Sequence, residues 1–320
     1  MAPLTLPLRQ CLASGAMTIT VLDTAAAMTT ILEADDAQRP ELVRKMWEPM
    51  AGMYRFVPGG LDLRRVHEQS FAFPLDRDTE EVRQALQALV DAKAWQRMTS
   101  ALNRGIEALK DADPDMVIPD LKVLLLVGDP TNEHFMSELQ GLTAFGGISG
   151  YIVLTLWPNA TVLDRLEAIV VHELHHNVRY SPGGIVWNQM TVNVGEQVIA
   201  EGLADIFAAE LYGHDGYTHF VSDITRTDTA VLAKVMTGLD VTGMQNFTAW
   251  ILGDSSARLF GTEPVGLPTG AGYAAGVQLV QAYLDVTGRS AAQNFRTPAP
   301  DIIHVATSEL AALQSAPSER

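Results

Sequence analysis

The sequence predicts an α+β fold, with a mostly helical N-terminal region, a small mixed sheet, a helix beneath that sheet and a mostly helical C-terminal lobe. Two continuous apolar runs of strand length, residues 121–127 and 151–157, are bounded by turn residues and lie between segments of helical periodicity. Beyond residue 190, apolar residues recur at helical spacing over most of the remaining chain. The order of these segments is typical of an α+β protein.

The individual elements follow from periodicity and turn signals. Residues 18–22 alternate as a strand, and the long helical pattern at 78–111 can hold two helices. Gly128-Asp-Pro130 ends the first apolar strand, which we expect to be central, and Pro158-Asn159 ends the second. Helical periodicity predicts three helices before residue 121, at 24–34, 39–54 and 78–111. It predicts five more after residue 190, at 192–212, about 226–238, 242–252, 270–287 and 300–313.

Composition limits the classes of protein to consider. The 320 residues are 47% hydrophobic, enough for a sizeable core, and the net charge of −16 argues against binding to nucleic acid or anionic lipid. No run of 18 apolar residues occurs, so we expect no stable membrane insertion. The single cysteine, Cys11, excludes internal disulfides and fits a reducing, cytoplasmic location.

The chain is expected to divide into three parts. Residues 1–16 lack a convincing signal-peptide cleavage site and are predicted to be a flexible extension, or an upstream start ahead of Met17. Residues 17–115 are expected to form the mostly helical N-terminal region, and residues 116–320 a second region to which the motifs below assign a catalytic role. No feature of the sequence indicates an oligomeric state.

The pattern His172-Glu173-x-x-His176 is the main functional signal. On a helix, residues four apart share a face, so both imidazoles can reach one metal ion, with Glu173 beside it. Two neutral nitrogen ligands and an adjacent carboxylate suit a hydrolytic zinc site, in which the carboxylate acts as the general base. The alternative is a surface helix that carries two histidines and a glutamate by chance.

The context of this motif favours the metal site. Thr161 is predicted to be the N-cap of the helix with Asp164 in its first turn, and residues 180–184 end the helix. An apolar stripe at helical spacing predicts that the helix is buried, where an unpaired polar cluster would be costly; its members are Leu163, Leu166, Ile169, Val170 and Leu174.

A catalytic zinc requires a third protein ligand. Glu201 and Asp205 are four apart in an apolar helical segment, so both lie on one face. We predict that Glu201 is the third ligand and that Asp205 accepts the free ring N–H of a ligand histidine. Gly202 would allow another backbone to approach closely. The alternative is that the two acids cap or solvate a helix.

The two metal motifs together resemble the glutamate-ligand zinc peptidases, the gluzincins, and more closely the YjaZ-type predicted zinc-dependent proteases of bacteria. The motifs are 25 positions apart, and the third histidine of the metzincin pattern is absent because Arg179 and Pro182 occupy its glycine and histidine positions. Softer matches extend the resemblance over most of residues 17–310, at 145–150 and 272–276. The resemblance implies a zincin-like fold, a Zn²⁺ cofactor and a peptide or protein substrate.

Tyr273 is the preferred donor to the oxyanion, because Gly272 and Gly276 flank it at a helix start and because the resemblance includes it. The alternative is a core tyrosine with a satisfied hydroxyl. Other candidates lie just past the ligand helix: Tyr212, His214, Tyr217 and His219. His175 is expected to pack or to support a ligand, and three histidines are expected to be structural or exposed: His67, His134 and His304.

Glycines 146, 147 and 150 precede the second apolar strand. Glycines beside an edge strand let a peptide backbone approach and add to the sheet, so strand 150–157 is the candidate for aligning a substrate. An ordinary glycine-rich turn before a core strand is the alternative. For the whole chain, the alternatives to a peptidase are a noncatalytic metal- or peptide-binding protein and a zinc hydrolase that acts on a nonpeptide amide.

Overall fold

The computed structural model describes residues 17–57, 59–77 and 80–315. The predicted extension at residues 1–16 lies outside this part of the chain. The α+β prediction is confirmed, since a small mixed sheet is combined with mostly helical structure. Among the described residues, no helix combines the length and apolar character that crossing a membrane requires.

Four strands form the sheet, in the order β1-β2-β4-β3. They are β1 (Ile19–Val21), β2 (Leu121–Val127), β3 (Leu142–Ile148) and β4 (Tyr151–Leu156). β2 is parallel to both of its neighbours, and β3 pairs antiparallel with β4. β2 is central and almost wholly buried, as its continuous apolar run predicts.

The strand predicted at 150–157 is not a sheet edge, so the prediction that it aligns the substrate is wrong. β3 covers it and forms the edge instead. The segment that becomes β3 was expected only to lead into a strand. Its two interior glycines have low strand propensity and mark a bulge between Phe145 and Ile148, which hides the strand from pattern analysis.

Five helices precede β2 in the described residues: α1 (Thr24–Glu33), α2 (Arg39–Trp47), α3 (Leu63–Gln69), α4 (Glu80–Asp91) and α5 (Ala94–Ala112). The predicted helix 39–54 ends as an α-helix at Trp47 and continues as a 3₁₀ turn, because Pro49 has no N–H to donate. The predicted helix 78–111 divides into α4 and α5 at Lys93, whose φ of 54° is left-handed. Residues 78 and 79 lie outside the described chain, and α3 was not predicted.

Eight helices follow β4 in the described residues: α6 (Ala160–Asp164), α7 (Leu166–Arg179), α8 (Val194–Tyr212), α9 (Asp223–Thr227), α10 (Thr229–Met236), α11 (Asp254–Leu259), α12 (Ala271–Thr287) and α13 (Ala299–Ser315). The predicted helix 226–238 is divided between α9 and α10. The predicted helix 242–252 consists instead of a 3₁₀ turn and a π turn.

The motif helix is shorter than the sequence predicts. Its first turn belongs to a separate helix, α6, because the backbone leaves the helical region at Arg165 (φ −104°, ψ 5°). The N-cap of α6 is Asn159, which accepts a hydrogen bond from Val162 N at 2.9 Å, so the assignment of Thr161 as N-cap is wrong. The predicted C-terminal end is confirmed at Tyr180.

Candidate metal centre

Helix α7 brings the two histidines of the motif together. It is almost entirely buried, packed between α5, α8 and the β3–β4 edge of the sheet. His172 and His176 are one turn apart on the same face, and their Nε2 atoms are 3.1 Å from each other. Both residues are less than a tenth exposed, yet both line an open cleft.

Helix α8 places Glu201 against this pair. Its Oε2 atom lies 3.1 Å from the Nε2 atoms of both histidines. α8 is held by a close crossing with α12, in which a β-carbon on Gly202 would lie only 2.8 Å from Gly276 Cα. The expectation that Gly202 permits a close backbone approach is therefore confirmed.

The three atoms fit a tetrahedral zinc ion. Two ligand atoms about 2.05 Å from such an ion are about 3.3 Å apart, close to the separations of 3.1 Å in this cluster. Two imidazoles and one carboxylate are a donor set of catalytic zinc sites. Within the part of the chain that the structure describes, this is the one group of three such side chains that could hold a metal ion.

Asp205 lies directly behind His172. Its Oδ1 atom is 3.0 Å from His172 Nδ1, so an N–H at Nδ1 can donate to it while Nε2 stays free to face a metal. Asp205 is fully buried, and the same oxygen accepts hydrogen bonds from Thr218 N at 3.2 Å and Thr218 Oγ1 at 2.7 Å. These contacts fix the carboxylate in place.

The charged groups of the site shift one another's pKa values. Burial alone would raise the pKa of Glu201, but the two imidazoles outweigh it and lower that pKa from 4.5 to about 2. Burial alone would lower the pKa of His172, but hydrogen bonds to Asp205 and Glu201 raise it well above 6.5. The cluster therefore favours a cation, either a proton on His172 or a metal ion in its place.

Glu173 is also at the site and almost buried, in the cleft beside the ligand cluster. Burial raises the pKa of its carboxyl, while the two imidazoles and a hydrogen bond from the Gly146 backbone oppose that rise. A carboxyl with a raised pKa is a stronger base at neutral pH than an exposed glutamate.

The cleft has a volume of about 1520 Å³, and every residue of β3 lines it. Apart from Glu173 and Glu201, its charged lining residues are Arg55, Arg165 and Asp215, of which the last two form an ion pair at 3.0 Å. Exposed large apolar side chains are concentrated around it: Phe56, Val57, Phe145, Val186, Trp187, Met190, Met244 and Phe260. In a strongly acidic protein, this cleft is mainly apolar.

Tyr273 lies beside the cluster, since its ring stacks on His172 with centroids 6.2 Å apart. Burial raises its pKa well above 10, and the nearby carboxylates of Glu201, Glu173 and Asp205 raise it further. The hydroxyl therefore keeps its proton at neutral pH, where it is within hydrogen-bonding reach of the Glu201 carboxylate at the edge of the cleft.

The other candidates separate into two groups. Tyr217 and His219 line the cleft, and burial lowers the pKa of His219 to about 4. Tyr212 and His214 do not line it. His175 is fully buried against the Phe207 ring, where burial lowers its pKa well below 6.5, so it is a packing residue.

The three isolated histidines also differ. His67 is fully buried: its Nδ1 accepts from Trp47 Nε1 at 3.2 Å, so its Nε2 donates to the Phe73 carbonyl at 2.9 Å. His134 lines the far side of the cleft. His304 is exposed.

Sequence analysis did not identify two residues at the site. Thr218 lies among the candidate residues of segment 212–219, but its contact with Asp205 depends on the tertiary fold. Asn177 follows His176 directly and is four positions after Glu173. A polar side chain at this position of a buried helix is the sequence feature that could have indicated its role.

The fold and the cluster define an α+β protein with a buried His–His–Glu group that could hold a metal ion and that opens to a cleft. The chain belongs to the family described as predicted Zn-dependent proteases, whose model matches residues 94–304. It is also similar to the uncharacterized protein YjfC of Bacillus subtilis (strain 168), with 33% identity over 210 residues, which are 65% of this chain and 69% of YjfC. No solved structure matches the chain.

Proposed function

We propose that this protein is a zinc-dependent metallopeptidase of the gluzincin type, with a zincin-like fold, that hydrolyses peptide bonds. The observation that carries the proposal is the convergence of His172, His176 and Glu201 in a cleft that also holds Glu173. The family description points to the same chemistry. A purely structural zinc site would have four protein ligands and no need of a base.

In the proposed reaction, His172, His176 and Glu201 would hold one zinc ion, and Asp205 orients His172 through its Nδ1–H. A zinc ion bound there would lower the pKa of a water molecule and polarise the substrate carbonyl. Glu173 is placed to act as the general base toward the attacking water and as the general acid toward the leaving amine. The burial that raises the pKa of Glu173 suits both steps.

Tyr273 is proposed to stabilise the negative charge that develops on the carbonyl oxygen. Its hydroxyl remains a donor at neutral pH, and its ring lies against His172, so the group is fixed beside the reacting bond. A fixed donor requires no reorganisation as the charge develops.

The substrate proposed for the cleft is an extended peptide or protein segment. β3 forms the edge of the sheet along the cleft, so its free backbone side is the element to which a peptide strand can add. The lining that the structure describes is mainly apolar, without a cluster of basic side chains, and suits a polypeptide better than a nucleic acid or another polyanion.

Cleavage of a peptide library tests the proposal, with zinc-loaded protein, chelator-treated protein and the Glu173→Gln variant compared. Glutamine keeps the shape of the side chain but cannot accept the proton, so the variant should bind zinc normally and lose nearly all turnover. Equal turnover by the variant would contradict the mechanism. Normal zinc binding without cleavage by the native protein would favour the noncatalytic metal- or peptide-binding alternative.

A further inference from the structure

The bulge in β3 leaves backbone groups that its neighbour strand does not pair. Phe145 is opposite Val153 and Ile148 is opposite Tyr151, so residues 146 and 147 face a single residue of β4. Such a bulge exposes carbonyl and N–H groups that must find other partners if they are buried.

One side chain of α7, Asn177, is such a partner for Gly146 of the bulge, and it also bonds the adjoining turn between β3 and β4. Its Nδ2 atom lies 3.0 Å from Gly146 O, 2.9 Å from Ile148 O and 2.8 Å from Tyr151 O. Its Oδ1 atom accepts a hydrogen bond from Gly150 N at 2.8 Å. The two N–H groups of the carboxamide are shared among these three carbonyls while its oxygen accepts, and Asn177 is only 1% exposed.

The same contact connects the bulge to the reacting groups. Asn177 follows the ligand His176 and lies one helical turn after Glu173, on the same face. The Gly146 backbone packs so tightly on α7 that a β-carbon there would overlap the carbonyl oxygen of Glu173. The position of the edge strand relative to Glu173 is therefore set by this one turn of α7.

We infer that Asn177 is a positioning residue: it holds the bulge so that an extended peptide added to β3 has a fixed register relative to Glu173 and the metal ligands. The inference rests on the proposed function for its catalytic consequence. Asn177 does not contact the substrate. It acts through the backbone of β3, and misplacement of a reacting group by about 1 Å can lower a rate about 100-fold.

A binding experiment in the inactive Glu173→Gln background tests this role. A peptide that binds this protein is resynthesised with single backbone N-methyl groups at successive positions. A methyl on an N–H that pairs with β3 should weaken binding at least about 10-fold. When Asn177→Ala is added, the same methyl should change the affinity by less than about 3-fold, because the strand no longer fixes the register.

Asn294→Ala is the matched control. Asn294 is also a fully buried asparagine with side-chain hydrogen bonds, to Tyr283 and Ser290, but it does not line the cleft. This variant should keep the full effect of N-methylation even if its melting temperature falls as much. Both variants should retain one zinc per chain. In the catalytic background, Asn177→Ala should lower kcat/KM about 100-fold, and Asn294→Ala should not.

The outcomes separate this inference from the proposed function. If Asn177→Ala leaves the N-methyl effect unchanged while native protein cleaves peptides, the positioning role is wrong and the peptidase stands. If native protein cleaves nothing but the Glu173→Gln protein shows an N-methyl effect that depends on Asn177, hydrolysis is wrong and the positioning role stands. If no peptide binds, the positioning role is overturned.

Discussion

The crossing of α8 and α12 makes Gly202→Ala an informative substitution, because two effects on the free energy of unfolding have opposite signs. Alanine is favoured over glycine inside a helix by about 1 kcal/mol, so helix propensity alone predicts stabilisation. The new β-carbon, however, would lie 2.8 Å from Gly276 Cα, whereas ordinary contacts begin at 3.4 Å. The β-carbon would also overlap the carbonyl group of Gly276, so the helices must separate by about 1 Å.

Overpacking of this kind costs about 1–3 kcal/mol, and a backbone neighbour cannot rotate away, so we expect the upper end of that range. The net result should be a loss of roughly 2 kcal/mol, measured by urea unfolding of the metal-free protein. Gly105→Ala is the control, because its β-carbon would meet the flexible end of Leu174 at 2.8 Å. Stabilisation of Gly202→Ala by about 1 kcal/mol, as propensity alone predicts, would refute the close crossing.

Three further predictions concern groups away from the reacting bond. Burial lowers the pKa of His67 from 6.5 to about 4, so the unfolded chain takes up a proton before the folded chain does as the pH falls. Roughly 3 kcal/mol of the free energy of unfolding should therefore be lost between about pH 6.5 and 4. The urea midpoint should depend less on pH in His67→Gln. Thr218→Val removes the hydroxyl that donates to Asp205, and it should lower zinc affinity about 10-fold with little change in melting temperature. Unchanged zinc affinity in a chelator competition would show that Asp205 does not need this hydrogen bond. Arg179→Met leaves the partly buried carboxylate of Glu196 with the Tyr180 hydroxyl but without its bidentate partner, and it should cost about 3 kcal/mol in chemical unfolding. A loss below about 1 kcal/mol would mean that the pair is not structural.

The parts of the fold that could be predicted are those with a local signal. The continuous apolar run of β2 indicated a buried central strand, and periodicity located α8 and α12 nearly to the residue. β3 was not predicted because two glycines interrupt its strand pattern. Its position at the sheet edge depends on pairing with β4, which a local pattern does not specify. The break at Arg165 has no proline or glycine to signal it.

The same distinction holds at the candidate site. Helical spacing placed His172 and His176 on one face, and their Nε2 atoms do lie 3.1 Å apart. Glu201 approaches them because the α8–α12 crossing fixes α8, an arrangement that spacing alone does not specify. The contacts of Asn177 and Thr218 join segments far apart in the chain, so they become visible only when the fold is known.

The proposed function requires a single zinc site completed by Glu201, and a competitive zinc titration of native and Glu201→Gln protein tests it. The native chain should bind one zinc ion, and the variant should bind it more than about 100-fold more weakly, because it loses a charged ligand. Glu210→Gln is the control, since this residue lies on the same helix but bonds the backbone of Ala291 and Ala292 and does not line the cleft. Native zinc affinity in Glu201→Gln would contradict the proposed site.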